Sequence, residues 1–271
     1  MGTIIVTGSS GFIGGNLINF LNKKNIETVG ISRRESPYNT NSFNIKYIDL
    51  TVDENIDLLY EIKNVYALVH CAGESRNDSN CLNTLYFNIK STSLLLKYAI
   101  ENNIPKFIYL SSKKVLVDEL YFNAYSLSKK ICEDMIRYCN HKYSKNYHSL
   151  RLCNIYGKDK VITRIIPFIM ECIISNKAIK TKSSLLEEIE FCSVDEVVNT
   201  IYLILMGESK SSDVMSIKYE FKISILELKN ILLKLVSIID NNSNLEELSA
   251  VEYKLFPIVE FYYYLFKNKD F

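Results

Sequence analysis

A tyrosine and a lysine four places apart, Tyr125 and Lys129 in the segment AYSLSKK, could together exchange a proton with a bound molecule. On a helix, positions i and i+4 lie on the same face, so both side chains can reach one cleft. A free tyrosine has a pKa of ~10, and a neighbouring ammonium lowers that pKa by favouring the phenolate. The same spacing recurs at Tyr86/Lys90, Tyr109/Lys113, Tyr138/Lys142, Tyr156/Lys160 and Tyr263/Lys267. Only the surrounding elements can therefore single out one pair.

Three glycines near the start of the chain, Gly8, Gly11 and Gly14, have the spacing G-x-x-G-x-x-G. They lie between a predicted strand (3–8) and a predicted amphipathic helix (12–24). Gly8 permits a tight turn, Gly11 allows backbone to approach a pyrophosphate, and Gly14 allows helix and strand to pack closely. The start of the helix offers N–H donors to phosphates. The pattern predicts dinucleotide binding, and a plain tight turn is the alternative.

The second predicted strand ends in Ser32-Arg33-Arg34 rather than in an acidic residue. A carboxylate at this point accepts a hydrogen bond from the ribose 2′-hydroxyl of NAD, whereas a guanidinium suits a 2′-phosphate. The sequence therefore favours NADP(H) over NAD(H), with solvated loop charges as the alternative. Asp49, after the third strand, could accept from the adenine amino group or be a surface carboxylate.

Strands alternate with helices along the first part of the chain. The predicted strands are 3–8, 27–32, 45–50, 65–73 and 106–112, and the predicted helices are 12–24, 54–63 and 82–103. This alternation predicts an α/β fold of the Rossmann type, with a doubly wound parallel sheet and a small C-terminal substrate lobe. We assign residues 1–155 to the dinucleotide-binding domain and 156–271 to the lobe, interleaved with the core around 188–206.

Two features of the C-terminal region stand out. Ser224 and Glu227 have capping-box spacing at the start of a predicted helix (224–240). The tail, 251–271, is rich in aromatic residues, but its apolar run is shorter than the ~18 residues that a membrane span needs. We therefore expect the tail to pack within the protein or against another subunit.

Composition excludes several classes of partner. The formal net charge is +1, with 32 basic and 31 acidic residues, which gives no electrostatic reason to expect nucleic acid. The seven cysteines include no C-x-x-C and no pairing with histidine, so we expect free thiols in a reducing cytoplasm and no metal site. The N-terminus lacks the basic and apolar regions of a signal peptide.

Seven segments, in order, resemble the extended short-chain dehydrogenase/reductase family, also called the NAD-dependent epimerase/dehydratase family. The resemblance covers about residues 3–205. The segments are TGSSGFIGG, HCAG, NIKSTSLLLKYA, FIYLSS, AYSLSKKICE, RLCNIYG and FCSVDEVV. Tyr125 follows the predicted fifth strand and lies downstream of Ser112, a setting that the other tyrosine–lysine pairs lack. The resemblance therefore favours Tyr125 and Lys129 as the functional pair.

The resemblance implies a role for each site residue. Tyr125 transfers the proton, and Lys129 lowers the pKa of Tyr125 and holds the nicotinamide ribose. Ser112 binds the reacting oxygen, with the adjacent Ser111 as the alternative. The expected cofactor contacts are Gly8, Ser10, Gly11, Phe12, Ile13, Gly14, Arg33, Arg34, Asp49, Leu50, Cys71, Ala72, Gly73, Asn88, Tyr125 and Lys129. The expected substrate contacts are Ser75, Ser112 and Asn154. A homodimer through helices 82–103 and 122–143 is also expected.

The residues after Ser112 indicate the type of reaction. Dehydratases of the resembling family carry Asp-Glu there, whereas this chain has Lys113 and Lys114, which disfavours dehydration. Together with Arg33 and Arg34, this favours an NADP(H)-dependent reductase of a keto group on a nucleotide-activated deoxysugar. The alternatives are an NAD-dependent nucleotide-sugar epimerase and a non-catalytic dinucleotide-binding regulatory protein. The segment Ile189-Glu190-Phe191 lacks the arginine with which the family often grips a substrate diphosphate.

Overall fold

The chain forms two compact units in the computed structural model. The first unit contains Met1–Cys153 and Val194–Ile217, and the second contains Asn154–Ser193 and Lys218–Phe271. The structure describes residues 2–33, 44–74, 81–117, 123–158, 164–180, 184–207, 213–241, 245 and 248–267. Each unit has its own hydrophobic core.

A seven-stranded sheet in the order β3-β2-β1-β4-β5-β6-β9 organises the first unit, and every neighbouring pair in it is parallel. In chain order the strands of the protein are β1 (Thr3–Thr7), β2 (Thr28–Ser32), β3 (Ile45–Tyr47), β4 (Val65–His70), β5 (Lys106–Ser112), β6 (His148–Leu152), β7 (Asn154–Tyr156), β8 (Glu188–Ser193), β9 (Val214–Ser216) and β10 (Phe221–Ser224). Strands β1 and β2 are buried along their whole length, as expected for a parallel sheet covered by helices. The predicted Rossmann-type α/β fold is confirmed.

The described residues also form α-helices. They are α1 (Phe12–Lys23), α2 (Asp53–Ile56), α3 (Cys81–Glu101), α4 (Ala124–Tyr143), α5 (Ile165–Ile174), α6 (Val194–Met206), α7 (Ile225–Asn241) and α8 (Ala250–Lys267). The core of the first unit brings together buried side chains from the sheet and from α3 and α4, among them Leu68, Tyr98, Phe107 and Ile136. This packing fixes the two long helices against the strands whose ends carry the candidate site.

Three predicted elements of the first unit are at least three residues shorter than the sequence pattern indicated. The fourth strand was expected to reach residue 73, but β4 ends at His70. The third strand was expected to reach residue 50, but β3 ends at Tyr47 because its one partner among the described strands is β2, whose last residue, Ser32, lies opposite Tyr47. The helix expected over 54–63 is a single turn of α-helix, α2, followed by a 3₁₀ helix at Asp57–Glu61.

The second unit has a three-stranded sheet in the order β10-β8-β7. Helix α7 begins with the predicted capping box: the Ser224 backbone N–H donates to Glu227 Oε2 at 2.8 Å, and the Glu227 N–H donates to Ser224 Oγ at 3.1 Å. Most of the aromatic tail, as far as Lys267, belongs to α8, whose side chains Leu255, Val259 and Tyr262 are buried in the core of this unit. Within the described ranges, no helix has both the length and the apolar character to cross a membrane.

Candidate active site

The glycine turn between β1 and α1 shows why each glycine is there. Gly8 has φ +67°, and a Cβ on it would lie 2.7 Å from the Ala72 backbone nitrogen. A Cβ on Gly14 would lie 2.3 Å from the Gly8 carbonyl oxygen, so Gly14 permits close packing of helix and strand. Gly11 is exposed at the N-cap of α1, and a Cβ on it would lie 3.2 Å from the Gly8 carbonyl oxygen. The open backbone at Gly11 and the helix N-terminus behind it fit a dinucleotide pyrophosphate.

Asp49 lies at the end of the sheet where the adenosine of a dinucleotide is expected. Its Oδ1 accepts from the backbone N–H of Thr51 at 2.9 Å and from Thr51 Oγ1 at 2.6 Å. Burial raises the pKa of Asp49, but these hydrogen bonds and the charges of Arg33 and Lys90 outweigh it, so the pKa falls below its usual value. Asp49 is therefore an ionised acceptor. The neighbouring Leu50 is buried.

Arg33 leaves the end of β2 and pairs with Glu74. Its Nη2 donates to Glu74 Oε1 at 2.7 Å, and its guanidinium carbon lies 4.5 Å from the centre of the Phe87 ring. Both partners of the ion pair remain partly exposed, with side-chain exposures of 45% and 34%. Arg34 and Ser75, two further predicted contacts, lie outside the described residues.

A buried histidine at the end of β4 ties three elements together. His70 Nδ1 is 2.7 Å from Thr7 Oγ1, and His70 Nε2 is 3.1 Å from Thr92 Oγ1. Thr92 donates its own hydroxyl proton to the Asn88 carbonyl at 2.7 Å, so it accepts from Nε2–H, and Thr7 donates to Nδ1. Burial, aided by the Lys129 charge, lowers the pKa of His70 to about 3. The neutral imidazole therefore joins β1, β4 and α3 without adding charge.

Asn88 on α3 fixes the segment that follows β4. Its Oδ1 accepts from the Glu74 N–H at 2.8 Å, and its Nδ2 donates to the Glu74 carbonyl at 3.0 Å and to Ser128 Oγ at 2.9 Å. Ser128 in turn donates to the Tyr125 carbonyl at 2.8 Å. The side chain of Asn88, a predicted cofactor contact, thus connects the predicted cofactor segment to the helix of Tyr125.

The HCAG segment lies beside Lys129. A Cβ on Gly73 would be 3.3 Å from Lys129 Nζ and 3.3 Å from Asn88 Oδ1, so a side chain there would crowd both groups. Ala72 donates its N–H to Thr7 Oγ1 at 3.2 Å. Burial raises the pKa of the Cys71 thiol to about 12, although the Lys129 charge opposes the shift. Cys71 is therefore a neutral thiol, and this segment supplies shape and backbone groups.

Lys129 is buried at the carboxyl end of β5. Its Nζ donates to the Leu110 carbonyl at 2.7 Å and lies 4.5 Å from the Tyr109 ring centre and 5.7 Å from the Tyr125 ring centre. Only 6% of the residue is exposed. Burial lowers the pKa of Lys129 to about 8, opposed by the nearby Cys132, Cys71 and Glu133. The ammonium is thus largely charged at neutral pH and can lose its proton more readily than a surface lysine.

The two serines that end β5 have different environments. Ser111, which is 2% exposed, donates its hydroxyl to Glu133 Oε1 at 2.6 Å. Ser112 Oγ accepts from the Lys114 N–H at 3.2 Å and caps the 3₁₀ helix Lys113–Leu116. The hydroxyl of Ser111 is therefore committed to the core.

Helix α4 starts one residue before Tyr125. Asn123 and Ser126 form a capping box there, with the Ser126 N–H donating to Asn123 Oδ1 and the Asn123 N–H donating to Ser126 Oγ, both at 2.9 Å. Tyr125 is half-buried in the first turn, and Lys129 follows one turn later. The cap starts the helix before Tyr125, so Tyr125 is helical and its i, i+4 spacing places it on the face of Lys129.

Glu133 continues the face of Tyr125 and Lys129 and was not identified from the sequence. It is fully buried and accepts two hydrogen bonds from Arg151 on β6, from Nε at 2.9 Å and from Nη2 at 2.7 Å. With the bond from Ser111, Glu133 anchors α4 to β5 and β6. The only available signal was the continued i+4 spacing and the arginine in RLCNIYG.

The remaining predicted substrate contact lies in the second unit. Asn154 begins β7, is exposed, and donates its Nδ2 to the Glu190 carbonyl at 3.2 Å. Its role as a substrate contact stays a prediction.

Comparison with known proteins identifies the family. Residues 4–217 match the family described as NAD dependent epimerase/dehydratase. The protein belongs to that family. The resemblance drawn from seven short segments is therefore confirmed, and the glycine turn, the HCAG segment and the Tyr125 helix of this epimerase/dehydratase family member all lie within the matched range.

Two curated relatives and one solved structure illustrate the range of the epimerase/dehydratase family. The dTDP-D-glucose 4,6-dehydratase of Mus musculus is 24% identical over 276 residues, covering 92% of this chain and 77% of the relative. The CDP-abequose synthase of Salmonella typhimurium is 28% identical over 211 residues, covering 74% and 69%. The UDP-glucose 4-epimerase of Thermus thermophilus, solved with NAD, has a TM-score of 0.78 at 13% identity, covering 96% of this chain and 98% of that one. The structural likeness shows the shared fold.

Proposed function

We propose that this protein is an NAD(P)-dependent oxidoreductase that reduces a keto group on a nucleotide-activated deoxysugar, with NADP(H) as the preferred cofactor. The observation that carries the proposal is the buried Lys129, held by the Leu110 carbonyl with its ammonium 5.7 Å from the ring centre of Tyr125. Ser112 ends the same strand that supplies this carbonyl. A phenol, an ammonium and a hydroxyl near the carboxyl edge of a parallel sheet support proton transfer to a carbonyl oxygen.

Each side chain has one task in the proposed reaction. Tyr125 gives its proton to the carbonyl oxygen of the substrate, and the charged Lys129 favours the phenolate that remains. Ser112 donates a hydrogen bond to the same oxygen and orients it. A bound nicotinamide supplies the hydride. Burial of Lys129 keeps water from screening its charge, which strengthens its effect on Tyr125.

The cofactor is held, in this proposal, by backbone and charge at the carboxyl edge of the large sheet. The N-terminus of α1, open at Gly11, binds the pyrophosphate. Asp49, ionised and beside the adenosine end, accepts from the adenine amino group. Arg33 binds the 2′-phosphate of NADP(H), since a guanidinium matches a phosphate geometrically and electrostatically.

The substrate class follows from the relatives together with the residues after Ser112. The two curated relatives are named for sugars linked to dTDP and CDP, and the solved neighbour for one linked to UDP. We therefore propose a nucleotide-linked sugar. Lys113 and Lys114 stand where an acidic pair would serve elimination, so we propose reduction rather than dehydration.

An NAD-dependent epimerase is the second candidate, and one observation favours it. Arg33 already has an ionic partner in Glu74. NAD, whose ribose carries a hydroxyl rather than a phosphate, needs no free guanidinium at that position. An epimerase would retain NAD tightly through purification.

The first test is to identify the dinucleotide that co-purifies with the protein. The second is to incubate the protein with NADPH and 4-keto-6-deoxyhexoses linked to dTDP, CDP or UDP, and to measure NADPH oxidation by absorbance at 340 nm. Consumption of NADPH with one of these sugars supports the reductase. Retained NAD with sugar isomerisation supports the epimerase instead. Dinucleotide binding without turnover of any sugar supports a regulatory protein, and the absence of dinucleotide binding contradicts all three.

We also propose a homodimer through α3 and α4 of the first unit. A groove of about 580 Å³ is lined by both helices, and it includes Lys97, Glu101 and Asp134 as well as the exposed Tyr138 and Tyr143. A two-fold dimer sets one patch against itself, which suits a groove with both charge signs around apolar rings. Sedimentation should report a dimer that Tyr138→Asp weakens. A monomer in the unmutated protein would contradict the proposal.

A further inference from the structure

The ion pair between Arg33 and Glu74 spans the carboxyl end of β1. Arg33 follows β2, Glu74 lies beyond β4, and β1 is hydrogen-bonded to both of these strands. Strands two positions apart in a sheet are separated by about 10 Å. The two side chains bridge this separation and meet at 2.7 Å. The pair therefore lies at the crevice that follows β1, where the strand order reverses and where a dinucleotide binds in such sheets.

Neighbouring residues hold both members of the ion pair. The guanidinium of Arg33 stacks on Phe87, at 4.5 Å from the ring centre. The backbone of Glu74 is fixed through both its N–H and its carbonyl by the side chain of Asn88, the next residue of α3. The positive charge of Arg33 also helps to lower the pKa of Asp49. Arg33 thus acts electrostatically on Asp49, but its direct contact is with Glu74.

We propose that Glu74 competes with the 2′-phosphate of the dinucleotide for Arg33 and thereby determines the selectivity between NADP(H) and NAD(H). This inference rests on the proposed function, because it assumes that a dinucleotide binds at the glycine turn. A 2′-phosphate carries about two negative charges, so it attracts Arg33 and is repelled by the Glu74 carboxylate. NAD(H) lacks this group and leaves the ion pair intact. Glu74 therefore weakens NADP(H) binding without affecting NAD(H).

The experiment is a direct titration of the purified protein with NADPH and, separately, with NADH. Nicotinamide fluorescence is the signal that reports binding. The chain contains no tryptophan, which simplifies the signal. Glu74→Gln keeps the size of the side chain and removes its charge. We expect Glu74→Gln to bind NADPH about tenfold more tightly. Arg33 would no longer have to leave an exposed ion pair, and the repulsion between the Glu74 carboxylate and the 2′-phosphate would be absent. NADH affinity is expected to stay unchanged, and added salt should reduce the gain for NADPH.

Two controls separate competition for Arg33 from a general change in charge. Glu61 is also an exposed carboxylate of the first unit, paired with Lys46 at 2.8 Å, so Glu61→Gln makes the same charge change elsewhere. It should alter neither affinity. In the double variant Arg33→Gln/Glu74→Gln, the increase in NADPH affinity should disappear, because Arg33, for which Glu74 and the 2′-phosphate compete, is absent.

Each other outcome overturns the inference in a recognisable way. If Glu74→Gln binds NADPH no better than the unmutated protein, Glu74 does not compete. If NADPH and NADH tighten equally, Glu74 acts on a part that both dinucleotides share. If the unmutated protein binds neither dinucleotide, the proposed function fails and this inference fails with it.

Discussion

The two sides of the large sheet's carboxyl edge hold their charged groups in opposite ways. Towards β2, Arg33 and Glu74 form an ion pair whose side chains are 45% and 34% exposed. Towards β5 and β6, Glu133 is fully buried and Arg151 is 18% exposed by side chain. Both pairs have a closest approach of 2.7 Å. Ion pairs with the same contact distance are therefore expected to contribute differently to stability on the two sides.

The difference comes from solvent. Water screens an exposed pair and solvates each partner when the pair opens, so such a pair contributes little to stability but can exchange partners. A buried carboxylate that loses its partner stays uncompensated in a poorly polarisable interior. The buried pair is thus suited to holding α4, with the proposed proton donor Tyr125, in place, and the exposed pair to exchanging partners when a ligand binds.

The largest expected effect tests the buried side directly. Tyr125→Phe removes only the hydroxyl that we propose as proton donor, so turnover should fall about 10²–10⁴-fold. Dinucleotide affinity should change little, because the ring and Lys129 remain. Reduction of the keto sugar followed at 340 nm checks the first expectation. Tyr138→Phe, an exposed tyrosine of the same helix, is the matched control. Full activity in Tyr125→Phe would refute the assignment.

A second variant tests the buried ion pair. Glu133→Gln leaves Arg151 without its ionic partner and weakens the acceptor for Ser111, so the free energy of unfolding should fall by about 3–5 kcal/mol. Urea denaturation measures this change. Glu133→Met/Arg151→Met, which removes both charges, should recover part of the loss. If Glu133→Gln lowers the free energy of unfolding only as little as the loss of an exposed ion pair would, the two pairs do not differ in stability as we expect.

The pH dependence of reduction gives a smaller, graded effect. Burial lowers the pKa of Lys129 to about 8, so its ammonium is present below that pH and is lost as the pH rises through it. Since the proposed proton transfer uses the charged form, kcat/KM should be level below pH 8 and fall about tenfold per pH unit above it. NADPH binding over the same range serves as the control. A profile that stays level up to the ~10.4 of an unburied lysine would contradict this role.

The smallest expected effect belongs to the exposed side. Glu74→Gln should change the free energy of unfolding of the ligand-free protein by only about 0.2–1 kcal/mol, since its ion pair with Arg33 is solvated. Urea denaturation beside Glu133→Gln provides the comparison under one set of conditions. A destabilisation of Glu74→Gln equal to that of Glu133→Gln would mean that exposure does not separate the two pairs.

Much of the first unit could be predicted from local sequence. Strand β5 lies at Lys106–Ser112, as its continuous apolar pattern predicts, and α1 begins at Phe12, directly after the glycine turn. These elements follow from short-range rules: burial on both faces gives an apolar run, and positive φ requires glycine at Gly8. The third strand was predicted too long because its end depends on the length of its partner, β2.

The contacts that hold the site were less accessible to sequence reasoning. Glu133 and Arg151 are 18 residues apart, and Arg33 and Glu74 are 41 apart. Each pair joins elements whose proximity depends on the strand order. The sequence identified Arg33 as a candidate for a 2′-phosphate, but the ion pair of Arg33 with Glu74 becomes visible only when β2 and β4 flank β1.

Local sequence was enough to define the glycine turn, the alternation of strands and helices, and the pairing of Tyr125 with Lys129 on one helical face. These properties depend on backbone conformation and on residues within a few positions of one another. The folded arrangement was needed to show that Lys129 is buried, that its pKa is lowered, and that Glu74 forms an ion pair with Arg33. Burial and long-range charge pairing are properties of packing, because they depend on which distant segments the folded sheet brings together.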